Sequence, residues 1–133
     1  MQIKAHNSIQ RLLAIGLAVI VVATLCSCSR AREEFVNGQG QAERDLAAGE
    51  MKIAFAEGTN MPAFWEYTDL LQKRYNIGWV VFSLPADRSA AAAWARGYNE
   101  VATRRIEHEI TVQALKQTMT DALELQSAGI KAR

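Results

Sequence analysis

The sequence predicts a small, helix-rich α/β domain: one βαβ unit packed by three or four helices. Three observations carry that expectation. Residues 51–56 alternate, with Met51, Ile53 and Phe55 on one face, the period of a half-buried strand. Residues 77–83 (Ile-Gly-Trp-Val-Val-Phe-Ser) are almost wholly apolar, with β-branched and aromatic residues at the centre. That run is too short for a buried helix and reads as a strand covered on both faces. Between the two lies a helical pattern with short links, so the strands are expected to be parallel, with a right-handed crossover.

Taken in order, the chain opens on an apolar segment. Leu12 to Cys28 carries no charge, Lys4 and Arg11 precede it, and no acidic residue occurs before Glu33. A basic start, an apolar run and small residues before a cut make an export signal over residues 1–27. Its ending, Leu25-Cys26-Ser27-Cys28, resembles the lipobox of bacterial lipoproteins, although Cys26 stands where Ala, Ser or Thr is more usual. The resemblance implies cleavage between Ser27 and Cys28, lipidation of Cys28, and anchoring in a bacterial membrane on its periplasmic or outer face. Ser29, where some Gram-negative lipoproteins carry a retaining Asp, resembles outer-membrane cargo. The alternative is an uncleaved membrane helix, since Leu12–Ser29 is a run of about 18 uncharged residues.

Residues 28–133 suffice for one domain and not two. Losing Lys4 and Arg11 takes the formal charge from +1 to −1, and the remaining Lys and Arg are scattered, which argues against nucleic acid as a partner. Both cysteines, Cys26 and Cys28, lie at the signal, leaving no pair for a disulfide framework or a Cys-based metal site. The partners expected are the membrane, through the lipid on Cys28, and a protein of the cell envelope.

Residues 28–40 hold charges of both signs and two glycines near the end, and read as the lipidated cysteine and a flexible tether. The domain is expected over 41–128, opening with a short helix at Gln41–Ala48 that Gly49 ends. After the first strand, Asn60 or Met61 should cap a helix with Pro62 in its first turn. That helix runs to Tyr75, with Phe64, Thr68, Leu71 and Tyr75 on one face, Tyr67 and Leu70 beside them, and Asn76 as a left-handed cap.

Asp87 should cap the next helix, Ser89–Glu109, whose face is Ala91, Ala95, Tyr98, Ala102 and Ile106, widened by Trp94 and Val101. A break is expected at Ile110-Thr111. Thr111 would cap a last helix carrying Val112, Leu115, Met119 and Ala122 or Leu123, a stripe that either covers the strand 77–83 as core or docks a partner, since both uses share the spacing. Residues 129–133 read as a frayed tail.

Chemistry-bearing patterns are few. His6 belongs to the signal, and His108 sits between Glu107 and Glu109, which point in different directions on a helix and read as surface. Glu66 and Asp69, three apart, read as a solvated face. The sequence contains no phosphate loop, nucleophile elbow or His-Glu-x-x-His. No catalytic residue, metal ligand or cofactor is therefore assigned.

Gly97 in a helix interior costs about 1 kcal/mol relative to Ala, and close approach of a neighbouring element is the structural reason for it. The functional alternative is a cleft of Tyr98, Asn99 and Glu100 with Trp79 or Trp65, holding a small ligand or an enzyme site. Phe64-Trp65-x-Tyr67 reads mainly as core, with an aromatic groove as its alternative. Trp65-Glu-Tyr67, Leu70-Leu71, Arg74-Tyr75 and Gly97-Tyr-Asn-Glu100 together are similar to small bacterial proteins of unassigned function over residues 46–110. That resemblance implies a compact α/β domain and no activity.

Overall fold

The computed structural model describes residues 28–131. Residues 1–27, expected as an export signal cut after Ser27, lie outside the described residues. The elements are α1 (28–47), β1 (Lys52–Ala56), α2 (Phe64–Tyr75), β2 (Gly78–Phe82), α3 (Arg88–Glu109) and α4 (Val112–Lys131). β1 and β2 pair in parallel, with Ile53 beside Trp79 and Phe55 beside Val81, and α2 makes the connection between them. The helix-rich α/β architecture is the one the strand patterns predict.

The two faces of the sheet bury different side chains. Ala54, Ala56, Val80 and Phe82 pack against Trp94, Ala95, Tyr98 and Ala102 of α3. Trp94 stacks between Phe82 (centroids 4.4 Å apart) and Tyr98 (5.3 Å). On the other face Met51 and Ile53 join Tyr67, Leu71 and Ile77, and Ile106, Ile110 and Leu115 close that cluster at one end.

Residues 28–40 are helix, where the sequence suggested a flexible tether, and Gln41–Ala47 is only the last part of that helix. The reason is a close crossing of α1 with α3. A β-carbon at Gly38 would stand 2.1 Å from the Trp94 carbonyl oxygen, and one at Gly97 would stand 2.0 Å from the Phe35 carbonyl oxygen. Each glycine lets the other helix's backbone in. Ala31, Gly38 and Ala42 line the inward face of α1, and Ala42 is fully buried. The helix then ends on Gly49 at φ 80°, with Gly49 N–H donating to Leu46 O and Glu50 N–H to Asp45 O, the paired bonds of a Schellman cap.

The remaining helix ends follow their expected caps, with one exception. Asp87 Oδ1 accepts from Ala90 N–H at 3.0 Å, and Thr111 Oγ1 accepts from Ala114 N–H at 3.2 Å. Asn76 sits at φ 55°, ψ 35°. Replacing Asn76 with Gly should leave stability unchanged or slightly higher, whereas Val should cost about 1 kcal/mol or more, because a β-branched residue resists positive φ. Equal thermal midpoints for the three proteins would refute the strain argument. The exception is the start of α2, where neither Asn60 nor Met61 caps. Pro62 lies in the turn before the helix, and Ala63, left-handed at φ 52° and buried, begins it without a side-chain cap. The turn swings Phe64 onto Phe55 of β1, their ring centroids 4.9 Å apart.

α4 contributes to the core, but not over the strand it was expected to cover. It lies antiparallel on α2, with Arg74 and Asp121 paired at 2.6 Å and Thr118 Oγ1 3.4 Å from Tyr75 Oη. Thr118 and Ala122 are fully buried, while Val112 and Leu123 are exposed. β2 is therefore covered on one face and only partly on the other. α4 extends through residue 131, and residues 132–133 of the expected tail lie outside the described residues.

Candidate functional site

Tyr98, Asn99 and Glu100 are adjacent in sequence and do not converge. Tyr98 is buried and donates its hydroxyl proton to Asp45 Oδ2 at 2.6 Å. Burial and the neighbouring carboxylate both push the Tyr98 phenol upward, so it stays a donor. Burial alone would raise Asp45, but hydrogen bonds from Tyr98 and Gln41 and the charge of Lys52, 3.5 Å away, hold it below the usual carboxylate range. Asn99 faces β1: Ala54 N–H donates to Asn99 Oδ1 and Asn99 Nδ2 donates to Ala54 O, both at 2.8 Å. Glu100 is exposed and pairs with Arg104 at 2.8 Å. The polar atoms of Tyr98 and Asn99 are thus held within the fold, those of Glu100 lie at the surface, and the room at Gly97 is filled by the Phe35 carbonyl.

The two edges of the sheet differ accordingly. The Asn99 amide occupies the outer edge of β1 as a neighbouring strand would. Gly78 N–H donates to Met51 O and Glu57 N–H to Phe82 O. Alternation then turns the backbone groups of Trp79 and Val81 away from β1, where no strand of the described residues lies.

The surface that stands out is aromatic. Trp65 is 68% exposed, Trp79 40% and Val81 44%, all on the sheet face that α2 leaves partly open. Phe64 is the centre of this cluster, edge-on to Phe55, to Trp65 (5.0 Å) and to Trp79 (5.6 Å). Trp65 and Trp79 meet at 5.6 Å. A groove of about 460 Å³ runs over these rings and is bounded by Gly58–Met61 of the β1–α2 loop and by Gln126 of α4. The Phe64-Trp65-x-Tyr67 group is therefore divided: Tyr67 enters the core, Phe64 floors the groove, and Trp65 is open to solvent. One signal for this is legible in the sequence, because Trp65 lies off the Phe64–Thr68–Leu71–Tyr75 stripe. Nothing in the sequence marked Trp79 as exposed.

Cys28, at the start of α1, is exposed. Two turns on, Val36 is exposed as well. Arg30 Nε approaches Asp87, the cap of α3, at 4.0 Å. His108 is exposed near the end of α3, and Asp69 pairs with Lys73 at 2.7 Å. Among the described residues no three His, Cys, Asp or Glu side chains stand close enough together to hold a metal ion, and no helix is long and apolar enough to cross a membrane. Comparison with protein-family models, with curated proteins and with solved structures finds no match to this chain.

Proposed function

We propose that this chain is a lipid-anchored protein of the outer face of a bacterial membrane, held through Cys28, with a binding or structural role centred on the aromatic groove. The observation that carries the anchor is the Leu25-Cys26-Ser27-Cys28 ending of an uncharged apolar run. A thiol is needed there because it attacks the lipid donor, and the small Ser27 lets a peptidase reach the bond beside it. The exposure of Cys28 in the folded domain is compatible with a modified residue at that position. Ser29 favours the outer membrane as destination. The groove supports the binding role, since contiguous exposed aromatic surface on a small domain marks a place of contact.

Labelling with a radioactive or alkyne fatty acid tests the anchor. Cys28→Ser should abolish incorporation and leave the protein at precursor mass, and Cys26→Ser should change neither. A Cys28→Ser protein that still incorporates label and matures would remove the basis of the proposal.

A further inference from the structure

The occupant of the aromatic groove follows from where the proposed anchor lies. Cys28 is the first described residue of α1. α1 is continuous helix from residue 28 and is held on α3 by the close approaches at Phe35 and Gly38, so Cys28 is joined rigidly to the body of the domain. Whatever fixes Cys28 at a membrane also fixes the end of the domain at which Cys28 lies.

That end can be traced by neighbours. Arg30 reaches Asp87 at the start of α3. Leu84, Pro85 and Arg88 share a depression with Glu57 and Gly58. Gly58 to Met61 in turn border the groove that holds Trp65. The start of α1, the two loops that follow the strands, and the Trp65 side of the groove therefore form one continuous end of the molecule.

We propose that this end rests in the headgroup layer of the bilayer that carries the chain's own anchor, with Trp65 inserted at the interface and the groove facing lipid. The proposal rests on the anchoring at Cys28 and names the partner of the groove. Indole suits the boundary, since its ring is apolar while its N–H can still reach water or a headgroup. Charge contributes little to the contact. Arg30 lies against Asp87, and Arg32 and Arg88 are offset by Glu33, Glu57 and Glu66. The docking should therefore be insensitive to salt, unlike adsorption through a basic patch.

Fluorescence quenching in vesicles tests it on the intact acylated protein. Reconstituted in phosphatidylcholine vesicles, the protein should lose between about a third and about two thirds of its tryptophan emission when the lipid is replaced by one brominated near the top of the acyl chain, the share of Trp65 alone or of Trp65 with its groove neighbour Trp79 among three indoles. The loss should persist when salt is raised about tenfold. Trp65→Phe should remove about half of the loss or more, and Trp65→Phe together with Trp79→Phe should remove it, the exposure of both rings making a folding defect unexpected. Trp94, buried between Phe82 and Tyr98, reports the unquenched interior.

Protein that floats with the vesicles but is not quenched would overturn the docking while leaving the anchor intact, with the groove open to a protein partner. Quenching that is undiminished in Trp65→Phe, or that survives when Trp65 and Trp79 are both replaced, would place the contact on another face and equally overturn it. Protein that fails to float with the vesicles would remove the anchor, and the docking with it.

Discussion

Gly97→Ala is expected to destabilise the protein by about 3 kcal/mol, as overpacking of a close crossing does, even though alanine is the better helix former by about 1 kcal/mol. The added carbon would lie 2.0 Å from the Phe35 carbonyl oxygen, a backbone atom that cannot rotate away, so α1 and α3 must separate. Separation opens the packing around Trp94 and Tyr98 and strains the Tyr98–Asp45 hydrogen bond. Gly38→Ala should act similarly, since its β-carbon would meet the Trp94 carbonyl oxygen at 2.1 Å. The double variant should cost less than the sum, because one separation relieves both clashes. Gly40 is the internal control: only the Arg44 side chain lies near its β-carbon, at 3.5 Å. Gly40→Ala should therefore gain up to about 1 kcal/mol from helix propensity alone. Denaturant unfolding followed by Trp94 emission reads all four proteins. A Gly97→Ala protein as stable as its parent would show that α1 is not held against α3.

The second large effect is at Asn99. Its amide satisfies both backbone groups of Ala54, itself only 2% exposed, and so closes the outer edge of β1. Asn99→Ala leaves a buried N–H and a buried C=O without partners. At about 1–3 kcal/mol for each, the loss should be about 2–6 kcal/mol, a large fraction of the stability of a domain this size. Asn99→Asp separates this role from ligand binding. Its carboxylate can still accept from Ala54 N–H, but the second oxygen then faces the Ala54 carbonyl. The protonated form is favoured in the fold, so the folded-state pKa of the new acid is raised above its unfolded value. Relative to the parent, Asn99→Asp should regain stability as pH falls through that raised pKa. A pH-independent deficit would count against the paired-amide geometry.

Both effects depend on residues whose meaning the sequence left open. Gly97 carried a helix-propensity cost that required compensation, and close approach was one stated reason. The approaching element was not identified. Asn99 lay among candidate cleft residues because a polar cluster beside a glycine looks the same whether it faces a ligand or a strand edge. Only the position of β1 against α3 distinguishes the two.

The sequence by itself determined the elements whose signals are local. Alternation at residues 51–56 and the β-branched run at 77–83 specify strands, and a short crossover makes them parallel. Asp87, Thr111, Asn76 and Gly49 mark helix ends because capping depends on a side chain or a φ angle within a few residues. The buried stripes of α2 and α3 follow from period and size. Three features were decided by tertiary structure alone. Residues 28–40 are helix because Gly38 meets the backbone of α3 and Gly97 of α3 admits that of Phe35, and small residues have no hydrophobic pattern to announce it. α4 covers α2 and not β2, a choice between two apolar surfaces that its own stripe cannot express. The exposure of Trp65, Trp79 and Val81 follows from that choice. An aromatic side chain is written the same way in core and at surface, and what differs is whether another element remains to cover it.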